Sequence, residues 1–250
     1  MENGLQRDGW MRLDGPGLAA WARAAAAAAR AVVGLAAPGE WRHGGTWFAG
    51  VDALPSGADG AVPGGPPLPW AELPLDPLPL HPAQLSVVRP GYPRPDPSES
   101  DAAHSFRLRR DAAHLDGLLP VGPTRRRMLR EPHAWVLGIG LWGGQAGASP
   151  TVVWSGSHRV MRDALVPVLA DVPPTAIAQI DVTEAYTRAR RTVFETCRRV
   201  ELPLAPGEAV ILHRHLLHGI APWRGGVQAP QGRAVAWFRP MLADAAAWTG

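Results

Sequence analysis

The run Gly207-Glu208-Ala209-Val210-Ile211-Leu212-His213-Arg214-His215-Leu216-Leu217-His218-Gly219 opens on a turn, continues through β-branched apolar residues and ends on histidines. Such a short apolar run bounded by glycines predicts a buried strand that begins at Ala209 and closes at His218-Gly219. Similar runs lie on either side of it. Arg233 to Phe238 follows, and Gln84 to Val88, Trp135 to Leu141 and Thr151 to Trp154 precede it. Asp8-Gly9 reads as a turn into a first strand at Trp10 to Leu13.

Helices interrupt the strands. One starts near Pro16, places Leu18, Trp21, Ala25, Ala29 and Val32 on one face, and ends before Pro38-Gly39. A second runs from about His158 to Ala170. A third starts at Asp181, with Glu184 completing a capping box, and buries Val182, Tyr186, Ala189, Val193, Cys197 and Val200. Its outer face carries Arg188, Arg191, Arg198 and Arg199, read as a solvated surface. Many short strands around Gly/Pro turns predict a mainly β fold with flanking helices, closed or built of two sheets.

The chain has 250 residues, 46% of them apolar, enough for a sizeable core in a single domain spanning 1–250. Thirteen of its 27 prolines fall between Pro55 and Pro97. That segment also holds Trp70, Leu73, Leu75, Leu78 and Leu80, so it predicts irregular chain wrapped on the core about 55–97. All 25 basic residues are arginine, and the formal charge is only +3, so the pI of 9.9 argues little for nucleic acid. The one cysteine, Cys197, excludes an intramolecular disulfide and a Cys-built metal site, and the expected compartment is a reducing cytoplasm. Met1-Glu2-Asn3 carries no basic leader. The alanine-rich Leu18 to Ala37 stretch is broken by Arg23 and Arg30, and reads as a soluble helix rather than a membrane span.

Among the nine histidines, His114-Leu115-Asp116 puts an imidazole and a carboxylate on one face of an extended chain. Together with His218 this makes a two-histidine, one-carboxylate set. Such a set occupies one face of an octahedral metal and leaves three positions for a chelating cosubstrate and oxygen. Fifteen residues beyond His218, Arg233 opens the next strand. Its planar fork suits the far carboxylate of a dicarboxylate cosubstrate.

These motifs resemble the phytanoyl-CoA dioxygenase family of Fe(II)/2-oxoglutarate oxygenases over most of the chain. Asp8-Gly9-Trp10 is similar to that family's first strand, and His114-Leu115-Asp116 to its proximal metal motif. Gly147 to His158 is similar to its strand and G-S-H turn, and Gly207 to Gly219 to its distal-histidine segment. Arg233 falls where the family's cosubstrate arginine stands. Ser155 replaces the proline usual before G-S-H, and Pro222-Trp223 stands where Pro-Asn is common; both departures bear on the substrate.

The resemblance implies a double-stranded β-helix, a jelly-roll or cupin-like barrel, with His114, Asp116 and His218 holding Fe(II). It implies 2-oxoglutarate as cosubstrate, with O2 consumed and succinate and CO2 released as a small molecule is hydroxylated. Because Asp116 is present, hydroxylation is favoured over halogenation. Two other readings stand beside it: a non-catalytic ligand- or partner-binding barrel, and a nucleic-acid demethylase, the latter motivated by the Arg233/Arg239 spacing. Arg239 is accordingly a second cosubstrate candidate.

His213 and His215 compete with His218 for the metal, with core roles as their alternative, and His158 reads as a structural turn residue. His43, Trp47, Gln84, Tyr92 and Arg127 are candidate substrate contacts. The arginines at 107, 109, 110, 125, 126, 127 and 130 flank His114 and Asp116. They are read either as a charged surface or as a guide for an anionic substrate.

Overall fold

The strand Ala209–His213 forms, and its alternation explains how the molecule is layered. Ala209 and Ile211 face a core shared with the helix Pro16–Leu35, while Val210 and Leu212 face a core shared with a second, smaller sheet. This computed structural model describes residues 4–224 and 229–250; the reading of Met1-Glu2-Asn3 lies outside them.

The first half of the chain holds α1 (Gly4–Asp8), β1 (Trp10–Leu13), α2 (Pro16–Leu35), β2 (Trp41–Arg42), β3 (Trp47–Leu54), β4 (Ala83–Val88), α3 (Asp101–Arg110) and the hairpin β5 (Leu118–Val121) and β6 (Arg126–Leu129). The second half holds β7 (Trp135–Trp142), β8 (Thr151–Ser155), α4 (Ser157–Leu169), α5 (Thr183–Thr196), β9 (Arg198–Leu202), β10 (Ala209–His213), β11 (His218–Ile220) and β12 (Arg233–Phe238). Seven strands form a large antiparallel sheet in the order β1-β10-β7-β12-β4-β3-β2, and three form a small one, β11-β8-β9.

Val136, Val210, Leu212 and Val235 from the large sheet meet Val153 and Leu202 from the small one, closing a dry layer between them. The large sheet's other face is covered by α2 and the segment that follows β3. Trp21 is fully buried there and donates its indole N–H to the Gly60 carbonyl at 2.8 Å. Glu72 accepts the Gly17 and Leu18 N–H groups at 2.8 and 3.0 Å, supplying α2 with the N-terminal carboxylate its own first turn lacks. Val62, Leu68, Leu73 and Leu80 of the proline-rich segment join the same core. The small sheet's outer face is covered by α4 and α5. By length and composition α2 is apolar enough to cross a membrane, yet Leu18, Trp21, Ala22, Ala25 and Ala29 pack on the sheet.

The fold is therefore a jelly-roll-like double sheet with flanking helices, a double-stranded β-helix that stays open. No strand pairs across the two sheets among the described residues, and β1 and β2 end the large one.

Two expectations need correction. The apolar strand does not run from Ala209 to His218: it stops at His213, turns at Arg214-His215, and resumes as β11 in the opposite sheet. The third helix ends at Thr196, not beyond Val200. Cys197 is extended, and Arg198–Leu202 pairs with β8, so Arg198 and Arg199 leave the helix face they were assigned to. Pairing with β8 gives that backbone the partners a helix would have supplied, and Val200 at its centre is β-branched.

Candidate metal centre

The segment bearing His114 and Asp116 belongs to neither main sheet and is tied to the small one. His114 donates its N–H to the His218 carbonyl at 2.8 Å and accepts the His218 N–H at 3.1 Å, so the two imidazoles stand on adjacent chains. Just upstream, Asp111 ends α3 in a left-handed conformation. Its carboxylate takes a two-point bond from Arg199 of β9, at 2.7 and 2.8 Å, and its carbonyl accepts from Ile220. A side chain at 219 would strike the Asp111 carbonyl, so glycine after His218 is what lets this loop lie against β11. Gly117, at φ +84, likewise turns the chain immediately after Asp116 where a Cβ would meet the Glu131 carbonyl. Leu115, between the two polar residues, is buried among α4 and α5 side chains and anchors the segment.

His114, Asp116 and His218 each offer a donor atom, and the three donors lie within 4.8 Å of one another. His114 Nδ1 is 3.0 Å from the Ala112 carbonyl and His218 Nδ1 is 2.9 Å from the Leu216 carbonyl. A carbonyl only accepts, so both rings carry their proton on Nδ1 and turn an Nε2 lone pair inward. These Nε2 atoms are 3.3 and 3.6 Å from the two oxygens of Asp116. Adjacent ligands on bonds of about 2.1 Å to one ion sit about 3 Å apart, so the residues present fit a single metal.

Burial opposes the charge on Asp116, but the His218 charge, bonds from both histidines and Arg239 hold its carboxyl well below the usual range. Burial likewise opposes protonation of His218, and Asp116 outweighs it, raising the imidazole. Arg239 Nη1 lies 3.7 Å from Asp116 Oδ2, and the Arg239 carbonyl is held by His133 Nδ1 at 3.0 Å.

These groups border a cavity of about 350 Å³ between the sheets. Trp47, Gln84, Tyr92, Arg127 and Arg239, all singled out in the sequence, line it. His43 does not: it is buried behind Trp47, its ring stacked 5.5 Å away, and its Nδ1 faces Glu99 at 3.3 Å. Trp47 donates its indole N–H to Ser86 at 3.1 Å across β3 and β4.

Arg233 sits one layer behind the wall, 1% exposed. Its Nη2 donates to Thr151, a cavity residue, at 2.7 Å, while Nη1 has no partner among the described residues. Burial pushes its pKa down to about 10, with Tyr92 opposing, so it remains a cation at neutral pH. Arg233, Val235, Trp237 and Arg239 alternate with Ala234, Ala236 and Phe238, which face the core beneath α2. The cavity side of one strand thus carries both candidate arginines, Arg233 at its start and Arg239 just past its end.

His158, His213 and His215 form a separate cluster, with ring centroids 5.1 and 5.2 Å apart. His158 donates from Nε2 to the Gln6 carbonyl, and none of the three borders the cavity.

Of the remaining cavity residues, Arg107 belongs to the arginine group flanking the metal motif, whereas the sequence reading did not single out Thr151, Trp237 and Glu131. Arg107 reaches the cavity from α3, is held by Glu99 at 2.8 Å and donates to the Tyr92 hydroxyl at 3.2 Å. Thr151, Trp237 and Glu131 also line it. The Ser100 cap, accepting from Ala103 N–H, was the available signal for α3. Trp237 and Thr151 followed from strand alternation already recognised.

No protein-family model matches the chain, and no curated protein matches it. Solved structures do. The non-heme alpha ketoglutarate dependent epimerase SnoN from nogalamycin biosynthesis is 16% identical, over 95% of this chain and 80% of that one, with a TM-score of 0.48. EctD from S. alaskensis, crystallised with bound Fe, is 16% identical over 95% and 74%, at 0.44. AviO1 from Streptomyces viridochromogenes Tue57 is 17% identical over 96% and 93%, at 0.43. At such identities the chemistry must be argued from this chain's own residues.

Proposed function

We propose that this chain is an Fe(II)- and 2-oxoglutarate-dependent oxygenase that hydroxylates a small molecule. The observation that carries the reading is the pairing of two features, one lining an inter-sheet cavity and one directly behind its wall. One is a two-histidine, one-carboxylate donor set; the other is a buried guanidinium, Arg233, with no carboxylate within 4 Å among the described residues. A buried arginine without a counterion carries a desolvation cost that an anionic ligand would offset.

His114 and His218 hold the metal through Nε2, fixed in that tautomer by the Ala112 and Leu216 carbonyls, and Asp116 supplies the third ligand. Bound there, Fe(II) with chelated 2-oxoglutarate supplies the oxidation, in which substrate, O2 and 2-oxoglutarate become hydroxylated substrate, succinate and CO2. Arg233 receives the far carboxylate of the cosubstrate, with Thr151 orienting the guanidinium and Tyr92 beside it. Arg239 keeps Asp116 ionised at the metal edge. Trp47, Trp237, Leu118 and Ile220 give the cavity apolar walls beside the metal ligands.

The test is anaerobic addition of Fe(II) and 2-oxoglutarate to the protein. A weak visible charge-transfer band, and succinate on admission of air, are the expected results. Asp116→Ala should abolish both. An unchanged band in that variant, or no metal-dependent binding of 2-oxoglutarate by the parent protein, overturns the reading.

A further inference from the structure

Four guanidinium groups surround the cavity, and they divide by whether the chain supplies their counterion. Arg107 is paired with Glu99 at 2.8 Å, and Arg239 lies 3.7 Å from Asp116. Arg233 and Arg127 have no carboxylate within 4 Å among the described residues. The oxygenase reading accounts for Arg233 and leaves Arg127 unexplained.

The surroundings of Arg127 are built rather than incidental. Its backbone is clamped to the start of α5: its N–H donates to Thr183 Oγ1 at 2.7 Å and its carbonyl accepts the Val182 N–H at 2.9 Å. Its Nη1 donates to the Leu118 carbonyl across the hairpin at 3.1 Å, which fixes one edge of the fork. Burial lowers its pKa despite Tyr186, and Arg190 and Arg125 add to the fall, so a half-buried cation is held among other cations. Membership of an arginine-rich stretch does not explain this. Arg109, Arg110, Arg125, Arg126 and Arg130 are all exposed, and only Arg107 and Arg127 of that group turn into the cavity.

We propose that Arg127 binds an anionic group of the substrate, so that the molecule presented to the metal centre carries a carboxylate or phosphate at one end. This rests on the oxygenase reading above and names the substrate class for it. The anion sits on the β5–β6 hairpin side, and the body lies along Leu118, Leu119 and Trp237. A cavity of about 350 Å³ falls at the lower end of the roughly 300–1,000 Å³ typical of ligand pockets, so the body is short.

Calorimetric titration of the full chain under anaerobic conditions tests this with three probes of equal chain length: hexanoate, hexyl phosphate and hexanamide. Each is measured with Fe(II) and 2-oxoglutarate present and again with both omitted. The expected result is that at least one anion binds about tenfold more tightly than hexanamide in both conditions. Which anion binds better distinguishes a carboxylate from a phosphate.

Arg127→Gln should erase the preference, while Arg126→Gln, at an exposed neighbour, should keep it. Arg127→Lys retains charge without the fork and should keep only part of it; this variant carries the test if the Gln variant does not fold. An anion preference undiminished in the Arg127 variants, or none in the parent protein, overturns the proposal. Failure of the oxygenase reading would look different: 2-oxoglutarate would not bind with Fe(II), while the hexanoate result stood.

Discussion

His213 and His215 stand only a few residues before His218, yet the two groups of histidines have opposite electrostatic fates. His213 is half-buried and His215 fully buried, both without a carboxylate; burial, with neighbouring cationic groups, lowers their pKa to about 3 and about 2. His215 is fully buried edge-on against Trp248, with ring centroids 4.2 Å apart. His218 is also buried, beside Asp116, and is raised instead. Burial alone makes an imidazole a neutral packing element; burial opposite a carboxylate makes it a polar site. Depth does not separate the two groups. The partner across the gap does.

The widest separation should appear in metal affinity. His218→Ala is expected to weaken divalent-metal binding by more than about a hundredfold, while His215→Leu leaves it unchanged. Anaerobic calorimetry reads both, and a metal-binding loss in His215→Leu as large as that in His218→Ala would erase the contrast.

A second difference concerns acid. The folded-state values of His213 and His215 lie below the ordinary 6.5, so the unfolded chain takes up protons first. Their stabilising contribution is complete above about pH 6.5 and is lost as pH falls toward 3. The melting temperature should therefore climb between pH 4 and pH 7, less steeply in His215→Leu. An identical slope in parent and variant would remove His215 from the account.

The smallest effect belongs to the clamp behind the metal segment. Arg199 is partly exposed, so losing its bond to Asp111 should cost only about 1–2 kcal/mol. Arg199→Leu should also loosen metal binding about tenfold, because Asp111 fixes the chain leading to His114. Unchanged metal affinity with lowered stability would make the clamp purely structural.

Strands with strong local signals were readable in advance. β4, β7, β8, β10 and β12 are apolar runs with β-branched residues, and α2 has a regular apolar face. What escaped was set by distant partners. β9 looks like a continuation of α5 until β8 is placed beside it, and β11 is three residues whose strand character comes entirely from pairing. α3 buries no residue and so shows no apolar stripe. In the candidate site, His114, Asp116 and His218 were legible from residue type and order. His43 was misplaced because a glycine pair beside an aromatic ring marks a turn without saying which side of it faces the cavity. Arg127 was singled out and does line the cavity, whereas Arg107 looked like its neighbours, since nothing local distinguishes an arginine that turns inward from one that turns out.

The crossing from β10 to β11 has a consequence for molecular size. His218 rides on the small sheet and Arg233 on the large one, with Thr151 joined to Arg233 across the gap. The distance from His218 to Arg233 is thus a sheet-to-sheet spacing, set by side chains such as Val136, Val153, Leu212 and Val235. Under the proposed reading this apolar layer would work as a calliper, its thickness setting the length of dicarboxylate that spans from the metal to Arg233. Val153→Ala, on the small-sheet side of the layer, would on that reading shift the preferred length without touching a polar atom.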